Sequence, residues 1–169
     1  MHPPAVQFFK EGTEAGKVLE KWWQSLEEAR GDRALLRRCA TPVEVVFCPA
    51  YHRLRRDLNR IGPINDHGLS VIAGLAAHLR DLDVSKPVSA QMAIPRSLGK
   101  APVSDSRFRR LLKVDNRNEL FNPLIRIIRL LDGRLNFINL ADGIYWWNDS
   151  VRRQWAFEYY ENAPLNVRE

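Results

Sequence analysis

The segment R-N-E-L-F-N-P-L-I-R-I-I-R-L-L, residues 117–131, decides the fold class of this chain. Its apolar residues recur every three or four positions, at Leu120, Leu124, Ile128 and Leu131. This spacing places them on one face of an α-helix, and other apolar residues cover most of the remaining circumference. We therefore predict a helix that is buried on most sides and exposes one polar stripe, formed by Arg126 and Arg129. Pro123 either lies in the first turn of a helix capped by Asn122 or kinks a longer helix.

Helical spacing recurs on both sides of this segment. Further helices are predicted over residues 14–30, 50–59, 66–82, 105–114, 136–147 and 150–160. A short helix is expected after Thr41-Pro42, because threonine is a good N-cap and proline suits the first helical position. Convincing runs of alternating apolar and polar residues are not evident, and the short strand candidates are V-E-V-V-F and F-C-P-A-Y. The sequence therefore predicts an all-α fold.

The least regular stretch of the chain is residues 83–103. Three prolines interrupt it, at Pro87, Pro95 and Pro102. Irregular connections of this length are uncommon in compact domains unless they have a role. We interpret it as a proline-containing connection between two small helical bundles. The predicted domains are an N-terminal helical bundle over residues 1–95 and a C-terminal helical bundle over residues 96–169.

Composition narrows the class of protein. The chain has 169 residues, of which 45% are hydrophobic and 27% charged, so it can bury a core and is not expected to be disordered. No apolar run approaches the ~20 residues of a membrane span, and residues 1–12 lack the pattern of a secretory signal. We expect a cytoplasmic protein without a membrane partner. Cys39 and Cys48 are then interpreted as small buried or half-buried hydrophobic residues in a reducing compartment.

Motifs that carry catalysis or bind metal are not evident in the sequence. There is no P-loop, G-x-G-x-x-G, H-E-x-x-H or G-x-S-x-G, and the histidines and cysteines lack the spacing of zinc ligands. His52 has no evident partner for acid–base catalysis. The sequence therefore predicts a protein that is not an enzyme and that takes no cofactor, no metal and no small-molecule substrate.

The distribution of charge is the most informative feature for function. The chain has 26 basic and 20 acidic residues, a formal net charge of +6, and 20 of the basic residues are arginine. Residues 33–60 carry a net charge of +5 and residues 96–134 one of +6, whereas the segments around them are net acidic. Arginine matches carboxylates and phosphates through paired hydrogen bonds. A localised anionic partner is therefore favoured over charge that serves general solubility.

Residues 105–114 place much of this charge on one helix. Phe108, Leu111 and Leu112 share a narrow face. The rest of the helix surface carries Arg107, Arg109, Arg110 and Lys113. These cations repel one another unless a polyanion, or acidic side chains elsewhere in the fold, compensate them. The same alternative, pairing with acids across the bundle, applies to Arg126 and Arg129.

The N-terminal basic block predicts a second patch. Its members are Arg37, Arg38, Arg53, Arg55, Arg56 and Arg60. Exposed aromatic residues are not interleaved with these arginines. Contact with a nucleic-acid backbone is therefore favoured over stacking on bases, and such contact weakens with salt.

Eight short motifs follow one another along the chain. They are W-W-Q-S-L, A-L-L-R-R-C-A-T-P-V-E-V, P-A-Y-H-R-L, S-L-G-K-A, R-F-R-R-L-L-K-V-D-N-R, L-I-R-I-I-R-L-L, N-F-I-N-L-A-D-G-I-Y-W-W and V-R-R-Q-W-A-F-E-Y-Y. In this order and spacing, the chain resembles the CasB family, the small subunit of the type I-E CRISPR Cascade complex. The resemblance implies an all-α protein of two helical bundles with no catalytic activity.

The resemblance also implies the partners. Members of the family form a head-to-tail pair, so a second copy of this chain is one expected partner. They lie beside the backbone of CasC subunits and contact the large subunit CasA. Their basic surfaces help to hold the heteroduplex of crRNA and target DNA, and the displaced DNA strand, without reading sequence. We therefore expect a non-catalytic, nucleic-acid-binding subunit that stabilises the R-loop in antiviral defence.

The candidate nucleic-acid-binding residues come from two sources. Basic positions of the family are matched by Arg38, Lys100, Arg107, Lys113, Arg117 and Arg126. Helical spacing within the basic blocks adds Arg53, Arg110 and Arg129. Asn148-Asp149 departs from the family pattern, since some members are basic there, and Arg152 and Arg153 are the candidates to replace that contact.

Two alternatives stay open from the residues themselves. One is a helical scaffold whose basic patches bind acidic protein surfaces. The other is a stand-alone basic DNA-binding regulator, which needs a helix that exposes base-reading side chains. Sequence discrimination in binding would favour the regulator. A protein complex that forms without any nucleic-acid binding at low salt would favour the scaffold.

Overall fold

Helices dominate the computed structural model, which describes residues 9–97 and 99–164. Its helices are α1 (Glu14–Ser25), α2 (Arg30–Arg38), α3 (Pro42–Val45), α4 (Pro49–Asn59), α5 (Asp66–Ala76), α6 (Val88–Ala93), α7 (Asp105–Leu112), α8 (Arg117–Leu130), α9 (Phe137–Tyr145) and α10 (Asp149–Asn162). The predicted all-α class is confirmed. The outer ends of the two predicted bundles, residues 1–8 and 165–169, lie outside the described residues, as does Leu98 of the S-L-G-K-A motif.

Two very short strands accompany the helices. β1 (Asp81–Leu82) pairs in parallel with β2 (Arg134–Leu135), and Asp81 lies opposite Arg134. Neither strand was among the sequence candidates. Those candidates are wrong: V-E-V-V-F forms α3 and the turn after it, and F-C-P-A-Y leads into α4. The reason is local, since Thr41 caps α3 as predicted, with its Oγ1 accepting a hydrogen bond from the Glu44 amide at 3.4 Å.

α8 is one continuous helix that covers residues 117–130 of the segment 117–131. Asn116 caps it, because its Oδ1 accepts a hydrogen bond from the Asn118 amide at 2.8 Å. The helix then runs through Pro123 to Leu130. The prediction of a helix capped by Asn122 is therefore wrong, and Pro123 lies inside the longer helix. The predicted apolar stripe is buried, whereas Arg126 and Arg129 are exposed.

α5 packs closely on α8 and carries no side chain at the point of contact. A Cβ atom at Gly74 would lie 2.6 Å from Cε1 of Phe121 and 2.8 Å from Cγ2 of Val45. Both separations are shorter than van der Waals contact permits. Glycine therefore allows α5 to approach α8 and α3 together, and α5 is buried along most of its length.

The predicted connection over residues 83–103 contains a buried helix. Every residue of α6 is buried, and α6 packs against α10. Polar contacts fix its first turn, since the Val88 amide donates to Oδ1 of Asn139 at 2.8 Å and Oγ of Ser89 donates to Oε2 of Glu158 at 2.7 Å. The prolines therefore bound this short helix and do not mark a structureless linker.

The buried hydrophobic residues form one cluster that draws on both halves of the sequence. α5 packs against α8 and α9, and α6 packs against α10. These contacts cross the boundary drawn between residues 95 and 96. The division into two bundles stays a prediction, and the basic helices α7 and α8 rest on this shared core.

Candidate nucleic-acid interface

Three of the predicted arginines surround one groove, which we call the α7–α8 groove. Arg107 and Arg110 come from α7, and Arg126 comes from α8. The groove has a volume of about 290 Å³. Its remaining lining is apolar: Leu111, Val114, Pro123 and Ile127. The three arginines thus border a groove with an apolar floor, and Arg110 and Arg126 are exposed, so their donors are available to a ligand.

α7 is fixed from behind by aromatic packing. Ser104 caps the helix by accepting a hydrogen bond from the Arg107 amide at 3.2 Å. The buried ring of Phe108 stacks on Tyr159 of α10, with centroids 4.0 Å apart and an interplanar angle of 8°. The Tyr159 hydroxyl donates to the Val103 carbonyl at 2.6 Å, just before α7 begins. The arginine face of α7 therefore points away from a rigid support.

The arginines of the α7–α8 groove are not neutralised within the described part of the chain. No carboxylate oxygen there lies within 4.0 Å of a side-chain nitrogen of Arg107, Arg110 or Arg126. Arg109, on the same helix, does form an ion pair, with Oδ2 of Asp105 at 3.1 Å. Arg109 is therefore compensated by an acid of its own helix, whereas the pairing with acids elsewhere in the fold that the sequence left open is not found for the groove arginines within the described residues.

Arg117 has different surroundings from Arg126, although the two share α8. Its half-buried guanidinium donates from Nε to the Ile144 carbonyl at 3.0 Å and from Nη2 to the Tyr145 carbonyl at 2.9 Å. These carbonyls lie at the C-terminal end of α9, where a positive charge also complements the helix dipole. The contacts give Arg117 a structural task that its sequence spacing did not reveal.

The other predicted residues are spread over the surface. Lys113 forms the exposed C-cap of α7, and Lys100 and Arg38 are exposed. Arg53 forms an ion pair with Asp32, so part of its charge is used within the fold. The predicted N-terminal patch is also divided, because Arg55 pairs with Asp66 on α5.

A second cavity collects cations that lie far apart in the sequence; we call it the second basic cavity. Its volume is about 490 Å³. It is lined by Arg33, Arg37, His78, Arg80, Arg129, Asp132 and Gly133. Arg129 was a predicted site residue and Arg37 a member of the predicted N-terminal patch. Sequence reasoning missed Arg33, His78 and Arg80, because no spacing signal joins α2, the turn after α5 and the end of α8.

His78 is neutral at pH 7 in this cavity. Burial, together with the smaller effects of the nearby charges of Arg37, Arg129 and Arg33, lowers the pKa of its imidazole to about 4. Its Nε2 atom is shielded from solvent and has no hydrogen-bond partner among the described residues. An orphaned polar atom of this kind costs free energy unless a ligand or a water satisfies it.

The cysteines are buried, as predicted, and both are free thiols. Their sulfur atoms are 3.7 Å apart. Burial, followed by the Cys48 thiol, raises the pKa of Cys39 to about 12, so Cys39 stays protonated. Among residues 9–97 and 99–164, no group of three or more His, Cys, Asp or Glu could hold a metal ion. No helix within the described ranges has the length and apolar character needed to cross a membrane.

Comparison with known protein families decides the relationship. The family model for the CRISPR-associated protein Cse2 matches residues 32–160, which is most of the chain. The chain belongs to the Cse2 family. The predicted resemblance to CasB, the Cascade small subunit, is therefore confirmed. A search of curated proteins gave no match.

Two solved structures share the fold. The crystal structure of CasB from Thermus thermophilus has a TM-score of 0.65 and 22% sequence identity, covering 88% of this chain and 99% of that one. A chain in the crystal structure of E. coli Cascade, bound to a PAM-containing double-stranded DNA target, has a TM-score of 0.70 and 21% identity, covering 86% of this chain and 94% of that one. At these identities the likeness establishes the shared fold. Family membership makes the chain a CRISPR-associated protein of a Cascade subunit family.

Proposed function

We propose that this protein is the non-catalytic small subunit of a Cascade complex and that it binds nucleic-acid backbone without sequence specificity. In this role it stabilises the heteroduplex of crRNA and target DNA and the displaced DNA strand during antiviral defence. The observation that carries the proposal is the α7–α8 groove, where Arg107, Arg110 and Arg126 have no acidic partner within the described part of the chain.

Phosphate contact explains how such a groove contributes to strand exchange. A guanidinium can donate two parallel hydrogen bonds to a phosphate, and each contact releases condensed counterions from the nucleic acid. Exchange of a DNA duplex for an RNA–DNA heteroduplex is nearly balanced in free energy, so a few backbone contacts are enough to favour the open state. Sequence is read by base pairing, and the protein needs no base-reading side chain.

The remaining predicted residues extend this proposal. Lys113 lies at the end of the same helix as the groove arginines and adds charge at its edge. Lys100, Arg38 and Arg53 supply further exposed cations along the surface. Arg129 lies in the second basic cavity, whereas Arg117 positions the end of α9. The central binding residues are therefore Arg107, Arg110 and Arg126.

Contacts with other subunits complete the proposal. The expected neighbours are CasC, CasA and a second copy of this chain, in the cytoplasm. Apolar side chains are exposed around the end of α3, with Phe47 74% and Val43 58% exposed, and α10 exposes Phe157. Exposed apolar clusters of this kind favour protein contacts. The scaffold alternative keeps these contacts and assigns the arginines to acidic protein surfaces.

Binding measured against salt concentration tests the proposal. Fluorescence anisotropy with several unrelated single- and double-stranded oligonucleotides should give similar affinities that fall with salt. Three phosphate contacts correspond to a slope of about −2.7 in log K against log salt, or about 40-fold weaker binding between 50 and 200 mM salt.

A charge-reversal pair gives the matched control. Arg107→Glu with Arg126→Glu should reduce the steepness of the slope by about 1.8 and weaken binding to every oligonucleotide. Lys17→Glu with Lys21→Glu makes the same change in net charge on the exposed face of α1 and should leave the slope unchanged. Equal affinity and slope in both pairs would refute the assignment of the groove. If the wild-type protein binds no oligonucleotide at low salt but still forms a complex with protein partners, the scaffold is favoured.

A further inference from the structure

The second basic cavity lies where three separate segments meet. Arg33 and Arg37 come from α2, His78 and Arg80 follow α5, and Arg129 comes from the last turn of α8. The cavity is distinct from the α7–α8 groove, with which it shares no lining residue. Its volume of about 490 Å³ is enough for a small tetrahedral anion and several water molecules.

Backbone contacts fix the walls of this cavity. The Arg33 side chain donates from Nε to the Ala77 carbonyl at 3.3 Å and from Nη2 to the Leu79 carbonyl at 2.9 Å, so α2 is tied to the end of α5. The Arg80 amide donates to the Gly133 carbonyl at 2.8 Å. Gly133 has a φ of +70°, and a Cβ there would lie 2.6 Å from Cγ of Arg80. The glycine therefore lets the stem of Arg80 lie flat against the turn.

The described residues supply little negative charge to this cavity. Its lining includes four arginines but one carboxylate, that of Asp132. Within the residues that the structure describes, Arg37, Arg80 and Arg129 form no ion pair within 4.0 Å, and neither does Asp132. Cations held this close by a fixed backbone repel one another unless an anion lies between them.

His78 forms part of the wall of this cavity. Its Nε2 is a buried polar atom without a hydrogen-bond partner in the described chain, and it belongs to a residue that lines the cavity. Because solvent does not reach Nε2, the imidazole forms part of the cavity wall and reports charge beside it. Arg37, Arg80 and Arg129 line the same cavity as this imidazole.

We propose that the second basic cavity is a binding site for a single phosphate group. The guanidinium groups of Arg37, Arg80 and Arg129 supply paired donors, and His78 lies in the wall beside them. The group can belong to a free phosphate or nucleotide, or to a nucleic-acid backbone; the chemistry of recognition is the same. The site stands whether or not the α7–α8 groove binds nucleic acid.

Histidine NMR of the full-length chain tests this proposal directly. Inorganic phosphate is titrated in a phosphate-free buffer while sodium chloride keeps the ionic strength constant. The ring signals of His78 should shift saturably, whereas those of the exposed His52 and His67 should not. The pKa of His78 should rise from about 4 toward its ordinary value of 6.5, because a bound anion favours the imidazolium.

Variants and competing ligands then identify the site and the source of the phosphate. Arg37→Gln with Arg129→Gln should weaken phosphate binding at least about tenfold, whereas Lys17→Gln with Lys21→Gln should not. Arg107→Glu with Arg126→Glu should leave the His78 response intact, which separates this site from the proposed nucleic-acid groove. Saturation by inorganic phosphate or a mononucleotide indicates a free ligand. Saturation only by an oligonucleotide without terminal phosphates indicates a backbone phosphate.

Two results would overturn the proposal. One is a His78 signal that none of these ligands shifts saturably. The other is a saturable shift that Arg37→Gln with Arg129→Gln leaves at full affinity. Because the first measurement uses the wild-type chain, it does not depend on whether the variants fold.

Discussion

Substitutions of two arginines on α8 should affect different properties: Arg117 contributes to stability and Arg126 to nucleic-acid binding. Arg117→Ala removes two hydrogen bonds from a charged donor to the carbonyls of Ile144 and Tyr145. Each such bond contributes about 1.5–3 kcal/mol, and the freed carbonyls regain part of this from water, so we expect a net loss of about 2–3 kcal/mol. For a chain of this size, the loss lowers Tm by about 5–10 °C. Arg126→Ala, on the exposed face of the same helix, should cost less than about 0.5 kcal/mol.

Nucleic-acid binding should show the opposite order. In fluorescence anisotropy across a salt series, Arg126→Ala should reduce the steepness of the salt slope by about 0.9, the value of one phosphate contact. Arg117→Ala, measured below its transition temperature, should keep the wild-type slope. Urea unfolding and anisotropy on the same two preparations provide the comparison.

One pattern of results would refute this reasoning. If Arg117→Ala is as stable as the wild type and loses a phosphate contact, then its guanidinium does not hold the end of α9 and the family-based assignment of Arg117 to nucleic acid is correct. If Arg126→Ala changes neither property, the α7–α8 groove is not the binding surface.

Three further predictions concern packing, pH and thiol chemistry. Gly74→Ala should lower the free energy of unfolding by about 1–2 kcal/mol, because overpacking against Phe121 outweighs the gain in helix propensity. Gly31→Ala, with open space around it, should raise the free energy of unfolding by about 0.5–1 kcal/mol. Urea denaturation compares the two variants, and equal effects would exclude the close contact at Gly74. The free energy of unfolding should fall as pH is lowered from 6.5 to about 4, because His78 binds a proton in the unfolded chain and not in the native one. His78→Gln should flatten the plot of stability against pH in this range. An unchanged plot would contradict the buried imidazole. Cys39 should resist iodoacetamide at pH 8 in the native protein and react in urea, which mass spectrometry follows, since its pKa is about 12.

The features that the sequence predicted well are those set by local spacing. The helix predicted over residues 105–114 is α7, and the three-residue separation of Arg107 and Arg110 places both on the same side of it. The class of fold followed from periodicity alone. Arg126 was predicted on a polar stripe, but its meeting with α7 across an apolar floor depends on how α8 packs, which spacing along one helix does not specify.

Other features depend on contacts between distant segments. β1 and β2 have two residues each, too few for an alternating pattern, and β1 exists because β2 lies beside it. α6 is six residues long and buried by α10, so tertiary packing rather than amphipathic spacing sets its position. Arg117 and Arg126 look alike in sequence and differ in their neighbours. His78 belongs to no sequence motif, and burial, followed by the arginines around it, lowers the pKa of its imidazole.

The stacking of Phe108 on Tyr159 has a consequence for genetics. Tyr159 is fully buried, yet it holds the helix that presents Arg107 and Arg110, and its hydroxyl fixes the residue that precedes that helix. Under the proposed function, a screen that scores CRISPR interference is expected to recover substitutions at Tyr159 together with substitutions of the arginines. The phenotype of such an allele reports the orientation of α7, although the tyrosine has no surface on which a nucleic acid could lie.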